Sequence, residues 1–114
     1  MSEPVFLCSA EDLAEGQYRE LQVNHDSEPV WLIATRHNGQ PRVWFNVCPH
    51  QGRQLNFAPN RFLTDKENRL VCVHHGAVFE PAEGVCISGP CRNAELRSVE
   101  IHEADGRVMA VFNL

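Results

Sequence analysis

The chain has 114 residues, 43% hydrophobic and 22% charged, which is the composition of one globular domain rather than of a disordered segment. Its formal net charge of −5 disfavours nucleic acids and anionic membranes as partners, because both attract basic proteins. No stretch is apolar enough to cross a membrane and no export signal begins the chain, so a cytoplasmic location is expected. Five cysteines without such a signal favour metal or redox chemistry over a disulfide framework.

Short strands are predicted along the first third of the chain. Residues 5–8 form the first, and Ser9 with Asp12 makes a capping pattern for a single helical turn. Partial alternation over residues 17–23 and an apolar, β-branched run over residues 30–36 predict two further strands.

Two hairpins stand out. Asn38-Gly39 joins the third strand to a partner over residues 41–47, and Asp105-Gly106 joins residues 96–103 to residues 107–113. Further turns are predicted at Glu83-Gly84 and at Ser88-Gly89-Pro90. Short strands at this spacing predict an all-β fold, an antiparallel sandwich or small barrel. Residues 48–90 show poor periodicity and indicate loops carried on that scaffold, where functional sites usually lie.

Two short motifs carry the chemistry. The first, CPHQG at residues 48–52, is a C-x-H motif, and the second, CVHHG at residues 72–76, is a C-x-x-H motif. Two cysteines and two histidines can hold a tetrahedral zinc ion or a Rieske 2Fe–2S cluster, in which two histidines ligate one iron. Each motif here supplies one Cys and one His, whereas common zinc fingers pair Cys with Cys. The interleaving therefore favours the two-iron cluster, with Cys48, His50, Cys72 and His75 as ligands.

The motifs CPHQG at 48–52 and CVHHGAVF at 72–79, with the later GVC at 84–86 and Gly89-Pro90, resemble the Rieske ferredoxin family. The likeness extends from about residue 30 to the C-terminus. It implies one Rieske domain over residues 1–114, an antiparallel β-sandwich with a cluster-binding subdomain of loops and short strands at about residues 47–91. It also implies residues that surround the cluster or dock partners: Pro49, Gln51, Gly52, Gly76, Ala77, Phe79 and Pro90.

The resemblance implies a function as well. A Rieske ferredoxin is a one-electron carrier, not itself an enzyme, that transiently docks a reductase as donor and a terminal oxygenase or similar enzyme as acceptor. A monomer is expected. The acidic charge suits a positively charged docking surface, although mild acidity also simply keeps a protein in solution. Two alternatives stay open: a small Rieske subunit of a complex such as assimilatory nitrite reductase, and a structural zinc module.

The chain departs from the family pattern in the gap between the motifs, which is a few residues longer than usual. The extra residues are placed in segment 58–68, where an insertion would alter the surface beside the cluster. High-potential Rieske proteins have a serine and an aromatic hydroxyl where this chain has Ala77 and Phe79, neither of which can donate a hydrogen bond. The expected reduction potential is therefore nearer about −150 mV than +300 mV.

The remaining cysteines and histidines are assigned more simply. Cys86 and Cys91 form a C-x4-C pair. The two cysteines either face each other across the loop as a thiol pair or disulfide, or are half-buried reduced thiols, and the second interpretation is favoured. Cys8 is predicted to be a core residue, as are three aromatic side chains, Trp31, Trp44 and Phe45. Four histidines are predicted to be surface or loop residues: His25, His37, His74 and His102.

Overall fold

The computed structural model describes residues 3–49, 52–73 and 76–112. These residues form one short 3-10 helix, Ala10–Asp12, and ten strands. In chain order the strands are β1 (Val5–Ser9), β2 (Arg19–His25), β3 (Glu28–His37), β4 (Gln40–Phe45), β5 (Leu63–Thr64), β6 (Leu70–Val71), β7 (Val78–Phe79), β8 (Cys86–Ser88), β9 (Glu100–Ala104) and β10 (Arg107–Val111). Among the described residues, no helix is long and apolar enough to span a membrane.

The strands make three antiparallel sheets. The first has the order β1-β10-β9, the second is the meander β2-β3-β4, and the third has the order β5-β6-β7-β8. The first two sheets form the predicted β-sandwich. The third sheet consists of strands of two or three residues separated by loops, and it corresponds to the predicted cluster-binding subdomain. The all-β prediction is confirmed.

Tight turns with two left-handed residues join the long strands. Asn38-Gly39 has φ values of 53° and 78°, and Asp105-Gly106 has 54° and 74°, as a type I′ turn requires. Both hairpins were predicted, although the strand before Asp105 begins only at Glu100. A third turn of this kind, Asp26-Ser27, has φ values of 52° and 67° and joins β2 to β3. Sequence reasoning missed it because the pair contains no glycine.

Two hydrophobic cores lie on opposite faces of the middle sheet. Ile33 and Trp44 pack into one core, which is shared with the third sheet. Leu32, Ala34 and Val43 pack into the other, which is shared with the first sheet. Consecutive residues of β3 are therefore buried on both faces, which explains its continuous apolar run. The sheet positions the cluster-binding subdomain on one side and the closing hairpin on the other.

The predictions for the aromatic and histidine side chains hold only in part. Trp44 is buried, but Trp31 is 38% exposed, so its assignment to the core was wrong. Trp31 lies on the same face of β3 as Ile33, yet two residues closer to the strand's start, where the covering layer gives way to the groove beside Val47. His25 is half-buried against the Phe112 ring, with centroids 5.7 Å apart, and is not a simple surface residue.

Segment 58–68 packs against the start of β2. Two hydrogen bonds join Glu20 and Asn60. The Glu20 N–H donates to the Asn60 side-chain oxygen at 2.8 Å, and the Asn60 N–H donates to the Glu20 carboxylate at 3.0 Å. The Tyr18 hydroxyl donates to the Asn68 carbonyl at 3.0 Å, and the Asn68 side-chain amide donates to the Gly16 carbonyl. The predicted turns are present, with Asn60 and Asn68 both left-handed. The segment therefore joins the third sheet to the second.

Candidate metal centre

The two cysteine motifs sit on backbone loops of identical construction. In the first, the Cys48 N–H donates to the Arg53 carbonyl at 2.7 Å, and the Gly52 N–H donates to the Cys48 carbonyl at 2.8 Å. In the second, the Cys72 N–H donates to the Ala77 carbonyl at 2.8 Å, and the Gly76 N–H donates to the Cys72 carbonyl at 2.9 Å. Each loop therefore closes on itself through its cysteine, so the two thiols occupy equivalent places.

The glycine that ends each loop has a conformational reason to be there. Gly52 and Gly76 adopt φ values of 68° and 70°, in the left-handed region that disfavours other residues. A Cβ added at either position would meet nothing within 4 Å, so backbone conformation rather than crowding selects glycine. The described loop tips are Pro49, Gly52 and Gly76, which flank the undescribed part of each loop, and all three are exposed. An electron-transfer centre held in these loops would lie just beneath the surface.

A third loop of the same kind shows what such loops attract. Glu80 N–H donates to the Val85 carbonyl, and Gly84 N–H donates to the Glu80 carbonyl, both at 3.0 Å. The Glu80 carboxylate accepts the backbone N–H groups of Ala82, Glu83 and Val85 at 2.9 to 3.0 Å. The loop thus converges N–H donors on an anionic group carried by its first residue. In the cysteine loops that first residue is a cysteine, whose thiolate form is likewise an anion.

Both cysteines are buried at the base of their loops, with Cys48 and Cys72 each 1% exposed. The other predicted ligands, His50 and His75, lie outside the described residues, as do Gln51 and His74. The described half of the donor set fits the two-iron cluster, because it offers two buried sulfur ligands on matched loops whose tips are accessible.

A fourth loop, residues 86–94, covers the two cysteine loops. Two backbone hydrogen bonds close this loop as a hairpin: the Cys86 N–H donates to the Ala94 carbonyl at 2.7 Å, and the Asn93 N–H donates to the Cys86 carbonyl at 2.9 Å. Gly89 packs so tightly on the second cysteine loop that an added Cβ would lie 2.9 Å from the Ala77 Cα. Pro90 is exposed beside it. The loop carries Pro90, which the resemblance implied to lie around the cluster or to dock partners.

Cys86 and Cys91 face each other inside this covering loop. Both are buried free thiols rather than half-buried ones, and the Cys91 thiol donates to the Cys86 sulfur at 3.1 Å. The Cys86 thiol in turn donates to the Ser88 carbonyl at 3.2 Å. Burial, with hydrogen bonds to Cys86 and to Cys48, raises the pKa of Cys91 to about 12. Cys91 is therefore a neutral thiol at physiological pH.

Ala77 and Phe79 stand beside the second cysteine loop and are completely buried. Ala77 contributes its carbonyl to the loop closure, and Phe79 pairs with Cys86 across β7 and β8. Neither side chain carries a hydrogen-bond donor. Cys8, by contrast, is buried in the other core, as predicted.

Sequence reasoning missed the apolar surface beside the first cysteine loop. Val47 is 48% exposed directly before Cys48, and a groove of about 390 Å³ is lined by Trp31, Val47 and Gly52 together with other residues. A second groove lies on the other side of Val47, between Pro49 and Arg97. Exposed apolar side chains on both sides of a loop tip are a usable contact surface for a partner.

Comparison with known proteins defines the class. The Rieske 2Fe–2S domain family matches residues 3–111, so the chain belongs to this family and its cofactor is a Rieske-type 2Fe–2S cluster. This settles the choice against a structural zinc module. A Rieske domain transfers single electrons through that cluster.

Several solved structures with the same fold come from the carbazole 1,9a-dioxygenase system. The ferredoxin of carbazole 1,9a-dioxygenase from Nocardioides aromaticivorans IC177 is 17% identical with a TM-score of 0.71, over 96% of this chain and 98% of that one. A chain in the complex of reduced oxygenase and oxidized ferredoxin is 23% identical with a TM-score of 0.71, over 97% of this chain and 94% of that one.

A longer chain, in the reduced complex between oxygenase and ferredoxin, is 19% identical with a TM-score of 0.74, over 96% of this chain but only 27% of that one. The present chain thus spans about a quarter of the longer chain's length and nearly all of the ferredoxin's. A search of curated protein sequences found no match.

Proposed function

We propose that the protein is a Rieske ferredoxin, a carrier that takes one electron at a time from a reductase and passes it to a terminal oxygenase or similar redox enzyme. Family membership supports the cluster, and the full-length likeness to a ferredoxin supports the carrier role. The observation that carries the proposal is the pair of matched loops that hold Cys48 and Cys72 buried below accessible tips. We further propose that residues 1–114 form a single domain and that the protein is monomeric and cytoplasmic.

The proposed ligands are Cys48 and Cys72 on one iron and His50 and His75 on the other. The assignment of both histidines rests on their places in the two motifs. When bound, the cluster supplies reversible one-electron chemistry. The chain's own contribution is to bury Cys48 and Cys72 and to close each ligand loop with backbone hydrogen bonds. It also leaves the described loop tips exposed to a partner.

The docking surface proposed for partners surrounds the first cysteine loop. It combines the exposed Trp31 and Val47 with Pro49 and Gly52, and it needs only the small interface typical of transient electron-transfer complexes. Electrons would pass through the exposed loop tips, because these are the parts of the site nearest to a bound partner.

The carrier role is tested by counting and delivering electrons. Reductive titration of the iron-loaded protein should consume one electron per two irons, without any added substrate. The reduced protein should then be reoxidised in a single kinetic phase by a one-electron protein acceptor, for which the oxygenase of carbazole 1,9a-dioxygenase and cytochrome c are suitable probes. A loaded protein that takes up no electron, or that neither acceptor reoxidises, would contradict the proposal. A Cys72→Ser variant is the control, because without its cluster it should transfer nothing.

A further inference from the structure

We propose that the Cys91 thiol is a hydrogen-bond donor to the sulfur of the cluster ligand Cys48, for which Cys86 is the competing acceptor. The inference rests on the proposed ligand assignment and deepens it. It gives a function to the second cysteine pair, which the carrier role otherwise leaves unused.

The first step is where the covering loop, residues 86–94, places the thiol. Four backbone hydrogen bonds within the loop, with the contact of Gly89 on Ala77, fix the backbone on both sides of Cys91. Cys91 is 8% exposed and packs in the same core as Cys48 and Cys72. Its thiol lies 3.1 Å from the Cys86 sulfur, and a side-chain hydrogen bond with Cys48 contributes to the raised pKa of Cys91.

The second step concerns the direction of donation. Cys86 uses its own hydrogen on the Ser88 carbonyl, so towards Cys91 it can only accept. Cys91 has one hydrogen and two acceptors, Cys86 and Cys48. When Cys48 is a cluster ligand its sulfur is a thiolate, and hydrogen bonds to charged acceptors are about twice as strong as those between neutral groups. The Cys91 hydrogen should then turn from Cys86 to Cys48.

The consequence is electrostatic. A hydrogen bond to a cluster sulfur stabilises the reduced, more negative state more than the oxidised one, and therefore raises the reduction potential. The side chains of Ala77 and Phe79, beside the second cysteine loop, supply no hydrogen-bond donor. A donor at Cys91 would act on Cys48, the sulfur ligand in the first loop. The buried position shields the interaction from water and strengthens it.

The experiment compares two substitutions of similar size in the iron-loaded full-length protein. Cys91→Ser keeps a donor, whereas Cys91→Val fills the space without one. The midpoint potential of Cys91→Val should fall, corresponding to a reduction equilibrium constant about tenfold smaller, which is 59 mV for a one-electron couple. Cys91→Ser should recover at least half of that shift. Cys86→Ala should not lower the potential, because Cys91 then has only Cys48 to bond.

Cys8→Ala is the matched control, since it removes a buried thiol from the other core and should leave the potential unchanged. Pulsed ENDOR of the reduced cluster should show a deuterium-exchangeable proton coupling in the unsubstituted protein that Cys91→Val lacks. This signal is independent of packing, and Cys91→Ser, which keeps a donor, should retain an exchangeable coupling.

Three results would overturn the inference. One is equal midpoints for the unsubstituted protein and Cys91→Val, and another is equal lowering by Cys91→Val and Cys91→Ser. The third is a mass two hydrogens below that of the reduced chain in freshly isolated protein, with Cys86 and Cys91 unreactive to alkylation, because a disulfide has no hydrogen to donate. Iron and sulfide analysis comes first. A protein without either would defeat the proposed function itself, whereas a loaded protein with an unresponsive Cys91 would defeat only this inference.

Discussion

The formal charges of the ligands govern the redox behaviour of the site. Two ferric ions, two sulfides and two thiolates cancel, so two neutral imidazoles leave the oxidised cluster uncharged. A cluster held by four cysteines carries two negative charges before it accepts an electron. Adding an electron to a neutral centre is easier, and Rieske potentials accordingly lie above those of plant-type ferredoxins.

The side chains around the second cysteine loop lower the expected potential within the Rieske range. Ala77 and Phe79 are buried and donate no hydrogen bond from their side chains, so the midpoint should lie nearer about −150 mV than +300 mV. Ala77→Ser places a hydroxyl beside that loop and should raise the midpoint, because the hydroxyl stabilises negative charge on the sulfur. Protein-film voltammetry checks both statements, with Ser88→Ala as the control. An unsubstituted midpoint above about +150 mV, or an unchanged one in Ala77→Ser, would contradict them.

The two adjacent histidines of the second motif provide a sharp test of the ligand assignment. His75→Ala should abolish cluster binding, because only His75 completes the C-x-x-H spacing before Gly76. His74→Ala should keep its two irons and its visible absorption. Iron and acid-labile sulfide analysis of both purified variants makes the comparison. Loss of the cluster in His74→Ala, with retention in His75→Ala, would reverse the assignment.

Single residues were predictable where chemistry restricts the choice and less so where packing decides. Cys48 and Cys72 were singled out by their two motifs, and the structure places both of them buried in matched loops. Trp31 was wrongly placed in the core, because periodicity gives the face of a strand but not how far the covering layer extends. His25 packs on Phe112 through a contact between residues far apart in sequence, and no local pattern reports such a contact.

Among the elements, the hairpins with a glycine in the turn were predictable and the third sheet was not. Its strands have only two or three residues, too short to show a period of two. The loops between them are defined by hydrogen bonds that close on a cysteine or on Glu80, and this closure was visible only in the structure.

Segment 58–68 is expected to stabilise the fold through its contact with β2. Asn60→Ala removes the bond from the Glu20 N–H and strains a left-handed residue with φ of 57°, which together should cost about 1 to 2 kcal/mol. Asn60→Gly keeps the backbone conformation without the bond and should cost less. Urea unfolding of the iron-loaded variants measures both. Wild-type stability in Asn60→Ala would show that the segment contributes nothing.

The same contact predicts a dependence of stability on high pH. Burial, with the nearby charges of Asp65 and Glu80, raises the pKa of Tyr18 from its usual 10 to about 12. The folded state thus holds the phenol proton more tightly than the unfolded state, so this contribution is complete below pH 10 and is lost as the pH rises towards 12. Tyr18→Phe should lose less stability between pH 9 and pH 11.5 in urea unfolding.

Tyr18 is the only tyrosine, so its ionisation can also be followed directly by ultraviolet absorption of the folded protein. A folded-state titration centred at the ordinary value of 10, or the same pH slope of stability in Tyr18→Phe, would contradict the expectation.

For the whole molecule, the fold separates stability from chemistry. Among the described residues, the core between the first and second sheets contains neither proposed ligand cysteine, whereas the core under the third sheet contains both, together with Cys86 and Cys91. The sandwich was predictable from strand spacing. The arrangement of two cores about the middle sheet was not, because it depends on pairing between distant segments such as β1 and β10.

The most direct test of the central claim is EPR of the anaerobically prepared protein reduced with dithionite, together with iron and sulfide analysis. The four proposed ligands predict two irons and two sulfides per chain and, on reduction, one spin per chain with a low average g value, because two imidazoles ligate one iron. A colourless protein without inorganic sulfide, or a spectrum typical of a cluster with four cysteine ligands, would contradict the account.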